Sequence, residues 1–339
     1  MVFDNIVKNI IDNNGSIVPL YIDYADSKGT GLCNASILYS EGKLRMIMRN
    51  VEYTLYYCEG EKKVQSCFEG SFAYYHRNDD IKLRTINFYC ELNPETLVIE
   101  KYHKIDTSKL DVNPLWDFIG LEDARLVFWN NKYYACGVRR DTTTNGQGRM
   151  ELSELLISGD SVKEINRNRI EVPNINSYCE KNWMPIKDKP FHFIKWSNPT
   201  EIVKVNLHNN TSETVYLSNQ QFNSKQELRG GSQLIPWTDN TYLGIVHECL
   251  FKQHNINGHK DADYYHRFVI WNNDWSIKYI SESFNFMTGG IEFCIGLEQV
   301  NDNIIIVFGF QDNALYAIKL SKNNLNELIW KTLINHSFH

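Results

Sequence analysis

The stretch ASILYSEGKLRMIMRN, residues Ala35–Asn50, contains two apolar runs separated by the turn Glu41-Gly42-Lys43. Two runs rich in apolar residues around a short polar turn are typical of a β-hairpin. Four later stretches repeat this pattern, with turns built from Asn, Asp, Lys or Pro. The five predicted hairpins are Ala35–Asn50, Ala124–Arg140, Trp183–Ser197, Gln233–Glu248 and Phe293–Gln311.

Each of the five hairpins has polar residues at the same two positions. One polar residue precedes the first strand, and others end the second strand. These two positions are 15 or 16 residues apart in the first four hairpins and 19 apart in the last. Successive hairpins begin 50 to 89 residues apart, which is typical of arrays and propellers. Two outer strands per hairpin, such as Thr200–Val205 and Thr214–Leu217, would complete four-stranded blades. We therefore predict an all-β chain, a five-bladed β-propeller in which residues 1–339 form one domain.

Helical patterning is confined to one short segment. Ile6, Ile10 and Ile11 have helical spacing, so we expect a short N-terminal helix over Asp4–Asn13. No glycine-rich phosphate loop opens a helix, and strands do not alternate with helices. The sequence therefore argues against a doubly wound nucleotide-binding fold.

Composition and charge exclude several classes of partner. The net charge is −6 and no basic run occurs, so a nucleic-acid partner is not expected. No stretch of about 18 apolar residues occurs, so no membrane span is expected. The 8 cysteines are scattered without a CxxC pair, which gives no zinc spacing. Met1–Ile11 lacks the apolar core of a signal peptide, so we expect a cytoplasmic protein with reduced thiols. No cofactor and no metal is assigned.

The polar residues at the strand ends form the candidate site, because inner strands of a propeller converge on a central channel. The string Gly120-Leu121-Glu122-Asp123-Ala124-Arg125 places two carboxylates and a guanidinium directly before an apolar strand. Charges so close to a buried strand must be paired or used. An enclosed carboxyl group with a raised pKa is suited to general acid catalysis. The complementary basic residues are Arg125, Arg139, Arg140, Lys181 and His247.

These residues resemble those of the propeller enzymes of glycoside hydrolase family 130, the β-mannoside phosphorylases and their hydrolase relatives, and of related β-1,2-mannosyltransferases. Gly120–Arg125 is similar to the family's Gly-x-Glu-Asp-Pro-Arg, with Ala124 in place of Pro. Arg139 stands where the family has a phosphate-contacting Arg. Glu180-Lys181-Asn182 resembles a Lys-Asn motif that opens a blade. Tyr242–His247 resembles a Tyr-His-Gly segment, with Val246 and Glu248 as departures.

The resemblance implies a five-bladed propeller and an inverting mechanism in which Asp123 is the acid and basic residues hold phosphate. The segments around Lys181, Arg229-Gly230-Gly231-Ser232-Gln233 and His266-Arg267-Phe268-Val269 also resemble propeller modules of bacterial and viral glycosylation proteins. The expected activity is therefore transfer of a mannose-like residue, by a glycosyltransferase or a glycoside phosphorylase. The expected partners are a sugar, a sugar phosphate or nucleotide sugar, and a glycan acceptor.

Each candidate residue receives a role in this hypothesis. Asp123 is the acid or base, and Glu122 supports it or binds a substrate hydroxyl group. The expected ligands of phosphate or the donor's phosphoryl group are Arg125, Arg139, Lys181 and His247. The expected sugar ligands are Arg49, Asn50, Gln233, Glu248 and Asp312. Candidates for stacking on a sugar face are Trp183, Tyr53 and Tyr265, with a core position favoured for Trp183.

Two alternatives remain open from the sequence. An inverting hydrolase would need a second carboxylate about 6.5–9.5 Å from the acid, and Glu180, Glu248 and Glu292 are available. A propeller that binds carbohydrate without catalysis is the other alternative, since propellers serve many functions. Acidic and basic groups too far apart to share one substrate would favour that alternative.

Overall fold

The computed structural model of the chain describes residues 5–56, 73–76, 82–173, 177–224, 226–238, 240–253, 260–288 and 290–331. Its helices are α1 (Ile6–Asp12), α2 (Tyr24–Ser27) and α3 (Lys322–Lys331). Helix α1 confirms the predicted N-terminal helix, and the side chain of Asn5 caps it by accepting the backbone N–H of Lys8 at 2.9 Å. The sequence prediction missed α2 and α3. No helix among the described residues is long and apolar enough to cross a membrane.

Strands account for the rest of the regular structure, which confirms the predicted all-β class. In chain order they are β1 (Ser16–Leu20), β2 (Gly31–Ser40), β3 (Lys43–Val51), β4 (Tyr53–Tyr56), β5 (Ala73–His76), β6 (Leu83–Leu92), β7 (Ile99–Asp106), β8 (Phe118–Ile119), β9 (Glu122–Trp129), β10 (Lys132–Arg139), β11 (Arg149–Ser158), β12 (Ser161–Arg169), β13 (Met184–Pro185), β14 (His192–Ser197), β15 (Thr200–Asn206), β16 (Thr211–Leu217), β17 (Arg229–Gly230), β18 (Ile235–Pro236), β19 (Thr241–Gln253), β20 (Lys260–Asn272), β21 (Ile277–Ile280), β22 (Glu292–Val300), β23 (Asn303–Phe310) and β24 (Ala314–Ser321).

The strands form sheets whose neighbours are mostly adjacent in sequence. One sheet has the order β13-β14-β15-β16, another β17-β19-β20-β21 with β18 also on β19, and a third β1-β24-β23-β22. The largest sheet joins β2-β3-β6-β7 to β12-β11-β10-β9 through a short parallel contact between β7 and β12. Strands β4 and β5 pair separately. In the third sheet, the first strand of the chain, β1, therefore pairs with the last, β24.

Antiparallel strand pairs lie at all five predicted hairpins. They are β2–β3, β9–β10, β13–β14, β18–β19 and β22–β23. In β9–β10 the turn residues Asn130 and Asn131 have φ values of 50° and 62°. Asn adopts this left-handed conformation more readily than most side chains, so the turn chemistry visible in the sequence is used locally.

Apolar side chains from neighbouring sheets pack against one another in the core. Phe268, Phe286 and Phe308 belong to one cluster, and the rings of Phe286 and Phe308 stack with centroids 4.2 Å apart. Ile6 of α1 and Leu325 of α3 complete this cluster. Full burial of each such side chain contributes about 1.5–3 kcal/mol, so both helices cover apolar surface at the two ends of the described chain.

Candidate functional site

Three hairpins open on a residue in the left-handed backbone conformation. Asn34, Asp123 and Asn182 have φ values of 44°, 51° and 60°. Asn and Asp tolerate this conformation better than other side chains, and the strand registers of β2–β3 and β9–β10 shift beside it. The local kink aims the side chains at one another: Asn34 Nδ2 donates to Asp123 Oδ1 at 2.9 Å. The aligned polar positions of two hairpins are therefore in direct contact.

Arg49, at the end of β3, contacts the acidic side chains of this region. Its Nη1 donates to Asp123 Oδ1 at 3.0 Å, and its Nη2 lies 3.8 Å from Glu122 Oε2. Its Nε donates to Thr85 Oγ1 at 3.0 Å, which fixes the plane of the guanidinium. Asp123 Oδ2 has no hydrogen bond to any described residue, although the side chain is only 12% exposed. One carboxylate oxygen is thus positioned by protein groups and the other remains for a ligand.

The two adjacent carboxyl groups have pKa values shifted in opposite directions. Burial acts to raise the pKa of Asp123, but Arg49, the hydrogen bond from Asn34 and Lys181 outweigh it and lower this pKa. Burial raises the pKa of Glu122, despite Arg49 nearby. Two neighbouring acids separated in this way suit the division between a base and an acid.

Asp312, which follows β23, belongs to the same cluster. Tyr53 donates its hydroxyl to Asp312 Oδ2 at 3.2 Å. Burial raises the pKa of Asp312, and the charge of Asp123 adds to this effect while Arg49 opposes it. Three carboxyl groups therefore surround one guanidinium, so full ionisation of all three would leave net negative charge at the centre of the cluster.

Cationic groups face this cluster from the next hairpins. Lys181 precedes β13, is exposed, and makes no hydrogen bond or ion pair with any described residue. It lowers the pKa values of Glu122, Asp123 and Asp312, which places its charge near all three. Lys181 and Arg229 line a cavity of about 200 Å³. Glu180 and Glu227 line the same cavity, and Lys195 adds a third cation to it.

His247 lies beside these cations but is itself neutral. Burial lowers its pKa well below the usual value, and His266, Arg229 and Lys181 add to this effect. Its Nδ1 is 3.0 Å from the carbonyl oxygen of Gly230, and its ring stacks on Tyr264 at 5.4 Å. A neutral ring that donates from Nδ1 presents Nε2 as an acceptor. His247 is thus suited to accept a hydrogen bond from a hydroxyl group rather than to pair with an anion.

Arg125, which we expected to bind phosphate, makes three hydrogen bonds to backbone carbonyl groups. Its Nε and Nη2 donate to the carbonyl oxygen of Gly231 at 2.8 and 2.6 Å, and its Nη1 donates to the Asp123 carbonyl at 2.9 Å. The residue is 1% exposed. Arg125 therefore ties β9 to the segment before β18, in place of the expected phosphate contact.

Arg139 is also separated from the carboxyl cluster. Its Nε donates to Glu151 Oε2 at 2.7 Å and its Nη1 to Asp141 Oδ2 at 3.5 Å. It lines a different cavity, whose lining does not include Asp123 or Lys181. Because two carboxylates already compensate its charge, this geometry disfavours the expected phosphate contact.

Three of the expected sugar ligands make hydrogen bonds within the protein. Asn50 Nδ2 donates to Thr30 Oγ1 and to the Gly31 carbonyl, both at 3.0 Å. Gln233 Nε2 donates to the carbonyl of Ile37, and Arg267 Nε donates to Glu248 Oε1, both at 2.5 Å. These polar groups are buried, and each of them is engaged by another part of the protein. Of the five expected sugar ligands, the structure brings Arg49 and Asp312 to that cluster.

The three aromatic residues expected to stack on a sugar also differ in their surroundings. Trp183 is fully buried, donates its indole N–H to Glu180 at 3.0 Å and packs in the core, as favoured from the sequence. Tyr53 contacts Asp312 through its hydroxyl. Tyr265 is half-buried and pairs in register with Glu248, away from the cluster.

Sequence reasoning missed Asn34, Arg229 and Tyr264 as members of the site. Asn34 had a usable signal, because it occupies the same hairpin position as Asp123. Arg229 is followed by two glycines, and a Cβ on Gly230 would lie 1.9 Å from the Asn182 carbonyl oxygen. This close backbone approach brings Arg229 toward Lys181. Nothing in the local sequence marks Tyr264, because its position depends on the ring of His247 packed against it.

The described residues contain no group of three or more His, Cys, Asp or Glu side chains arranged to hold a metal ion. No protein-family model matches the chain, and no curated protein matches it either.

Comparison with solved structures gives neighbours over nearly the whole chain. A β-1,2-mannobiose phosphorylase from Listeria innocua is 11% identical, with 93% of each chain covered and a TM-score of 0.51. A mannose phosphorylase from Leishmania mexicana is 11% identical over 97% of this chain and 95% of its own, with a TM-score of 0.50. A GDP-Man-dependent mannosyltransferase from the same organism is 11% identical over 94% and 95%, also at 0.50. The structural neighbours are thus of the kind named from the sequence, which confirms that resemblance; at these identities the likeness establishes a shared fold.

Proposed function

We propose that this protein transfers a mannose-like glycosyl residue between a phosphorylated donor, or phosphate, and a hydroxyl group of an acceptor. The observation that carries the proposal is the group of Asp123, Glu122 and Asp312 around Arg49, with Lys181 and Arg229 opposite. A reaction centre that combines carboxyl groups with cationic groups suits a sugar joined to a phosphoryl group. The mannobiose phosphorylase and the mannosyltransferase among the structural neighbours support mannose as the sugar.

Asp123 is the proposed proton-transferring group. Its lowered pKa keeps it ionised at neutral pH, and its Oδ2 is unoccupied by described residues, so it is poised to accept a proton from an attacking hydroxyl group. In the reverse direction, the same oxygen returns the proton to the leaving oxygen. Glu122, whose pKa is raised by burial, is the second carboxyl group beside it.

Lys181, Arg229 and His247 are the proposed groups around the phosphoryl moiety. Lys181 has no partner among the described residues, so its charge is available to a ligand. Arg229 is bound only to the exposed side chain of Glu227 at 2.7 Å among the hydrogen bonds described. His247, being neutral, would accept a hydrogen bond from a substrate hydroxyl.

We further propose that the chain forms a single five-bladed propeller. The support is the sheet topology, if the largest sheet is divided at the two-residue parallel contact between β7 and β12. Each of the five resulting groups then contains at least four strands. The carboxyl cluster draws residues from three of these groups, as a central site would.

A cytoplasmic location with reduced thiols is also proposed. Its support is that the described cysteines are free thiols: Cys33, Cys90, Cys136, Cys179, Cys249 and Cys294. Cys58 and Cys67 lie outside the described residues. Titration of the freshly purified, denatured protein without reductant should find about eight thiols; two or more missing would contradict the proposal.

An inverting hydrolase is less well supported by the geometry. Glu180 accepts from the Trp183 indole, and Glu248 is paired with Arg267. Glu292 accepts the backbone N–H groups of Met287 and Thr288 at 3.0 and 2.9 Å. Each residue considered as the water-activating base is thus already held by a structural contact.

The test is incubation with sugar 1-phosphates and nucleotide sugars, each with a panel of sugar acceptors, while product and inorganic phosphate are measured. Formation of a glycoside with release of phosphate or nucleotide is expected. Release of free sugar from glycosides without phosphate would instead identify a hydrolase. Sugar binding without turnover on any donor would contradict the proposal and leave a carbohydrate-binding protein.

A further inference from the structure

A second cavity, of about 420 Å³, lies where the two parts of the largest sheet meet. Strands β6 and β7 line one side, and β10, β11 and β12 line the other. Residues from the segment 107–121 complete the lining. Its volume falls within the range of about 300–1,000 Å³ that is typical of small-molecule sites.

This cavity is distinct from the proposed reaction centre but adjoins it. Its lining does not include Asp123, Asp312 or Lys181. Thr85, which does line it, accepts the hydrogen bond from Arg49 Nε at 3.0 Å. Gly120 and Leu121 also line it and directly precede Glu122. A substrate long enough to extend past Thr85 and Gly120 would contact both the cavity and the proposed reaction centre.

Two buried acceptor atoms in the lining have no hydrogen-bond donor. Asp141 is 6% exposed and uses Oδ2 to accept the backbone N–H of Gly120 at 2.8 Å, whereas its Oδ1 has no partner. Asn87 donates Nδ2 to the Leu121 carbonyl at 2.9 Å, which leaves its Oδ1 without a donor. Buried acceptors without donors are costly, so these positions call for a ligand that donates hydrogen bonds.

Four cations line the cavity, and three of them face carboxylates: Arg139, Arg167 and Arg84, the last with its Nε 3.8 Å from Glu52, while Lys104 is exposed. Arg139 is compensated by Glu151 and Asp141 at 2.7 and 3.5 Å. Arg167 is paired with Glu164 and with Asp111, the latter at 3.2 Å. A phosphate placed here would face carboxylates whose arginine partners are already engaged.

Apolar side chains supply the rest of the lining, including Ile86, Ile105, Val112 and Leu155. Apolar walls with a few fixed hydrogen-bonding groups match the two faces of a sugar ring, whose C–H groups are apolar and whose hydroxyl groups donate. We propose that this cavity binds a neutral sugar residue, separate from the one that reacts at Asp123. The choice of a carbohydrate ligand rests on the proposed function, whereas the need for a neutral hydrogen-bond donor rests on the cavity alone.

Ala135 offers a way to fill the cavity without touching its polar groups. This residue of β10 lines the cavity and is 2% exposed. Ala135→Met would place a longer side chain into the space. Leu156→Met, on the exposed face of neighbouring β11, is the control, because Leu156 is 50% exposed and does not line the cavity.

The measurement is calorimetric titration with methyl α-mannoside, β-1,2-mannobiose and mannose 6-phosphate, all in an Asp123→Asn background that suppresses turnover. Neutral sugars should bind, Ala135→Met should weaken one binding event at least tenfold, and Leu156→Met should leave binding unchanged. Asn87→Leu, which removes one orphaned acceptor, should weaken the same event. Thermal unfolding of each variant checks that it is folded.

Unchanged sugar binding in both folded cavity variants would overturn the inference, as would absence of neutral-sugar binding or a preference for the phosphorylated sugar at this cavity. Turnover of the unmodified protein is measured in parallel. Sugar binding that depends on Ala135 in a protein without transfer activity would refute the proposed function and leave the cavity site standing. Transfer activity without sugar binding at the cavity would refute the cavity site and leave the proposed function standing.

Discussion

Arg49 and Arg139 end the second strands of neighbouring hairpins, β3 and β10, but their surroundings differ. Arg139 has buried carboxylates at 2.7 and 3.5 Å, and Glu151 among them is 1% exposed. Arg49 meets Asp123 at 3.0 Å and Glu122 at 3.8 Å, and Asp312 adds a third carboxyl group nearby. Equivalent positions in a repeat thus hold one arginine in a compensated ion pair and another in a cluster with excess acid. Each arrangement leaves one carboxylate oxygen without a donor among the described residues, Asp141 Oδ1 beside Arg139 and Asp123 Oδ2 beside Arg49, but only the second lies in a cluster with excess acid.

Asp123→Asn should produce the largest effect. The amide retains the shape of the side chain but does not take up or deliver the proton, so turnover should fall by about 10²–10⁴-fold. Stability should fall moderately, because the attraction of Arg49 that lowers the pKa of Asp123 is lost, while repulsion with Glu122 and Asp312 is relieved. Initial rates and urea unfolding measure the two properties.

Asp160→Asn is the matched control, since this aspartate is 89% exposed and paired with Lys101 at the surface. It should preserve turnover. Full activity in Asp123→Asn would reject its proposed role and move the assignment to Glu122.

Glu151→Gln, beside Arg139, should mainly lower the stability of the protein. It leaves the buried guanidinium with only the longer contact to Asp141, and breaking a buried ion pair costs about 3–5 kcal/mol. The free energy of unfolding from urea denaturation should therefore fall more than in Asp123→Asn. A smaller loss would mean that the two arginines are not as different as their geometry indicates.

Lys181→Ala should weaken binding of phosphate or donor rather than catalysis. A hydrogen bond to a charged group contributes about 1.5–3 kcal/mol, so KM for that substrate should rise at least tenfold with a smaller change in kcat. Lys204→Ala, at an exposed position on β15, provides the control and should leave both constants unchanged. An increase in KM for phosphate in Arg139→Ala but not in Lys181→Ala would reverse the assignment of the two regions.

The smallest expected effect concerns a buried histidine, His266. Among the described residues, no histidine lines the cavity beside Arg139. Burial lowers the pKa of His266 to about 3, whereas an unfolded histidine titrates near 6.5. Below pH 6.5 the unfolded chain therefore binds a proton that the folded chain does not. Stability should fall by about 1.4 kcal/mol per pH unit from this residue as pH drops from 6.5 toward 3.

Urea unfolding at pH 7.5 and 5.5 tests this linkage. His266→Gln should reduce the loss of stability between the two pH values by about 1.4 kcal/mol, whatever its effect at pH 7.5. His208→Gln, at an exposed position, should not alter the difference. An unchanged pH dependence in His266→Gln would show that this ring is protonated in the folded protein.

Local physical chemistry made the strands and the acidic candidates predictable. Polar turn residues between apolar runs specify a hairpin over a few residues, and Glu122-Asp123 directly before a strand marks charge that must be satisfied. Helix α3 was not predicted, although Leu325, Leu328 and Ile329 have helical spacing and pack in the core. The sequence therefore determined the all-β class, the hairpin positions and the acidic centre of the candidate site.

The tertiary structure decided which charged side chains face a ligand. Arg125 donates to a carbonyl 106 residues away, and Gln233 to one 196 residues away. Arg139 is engaged by Glu151 from the adjacent strand, while Lys181 has no partner among the described residues. An arginine or glutamine before or after a strand has the same local signature whether it binds substrate or a distant backbone carbonyl. Only the packing of sheets against one another determines which partner it meets, and burial in that packing separates the pKa values of Glu122 and Asp123.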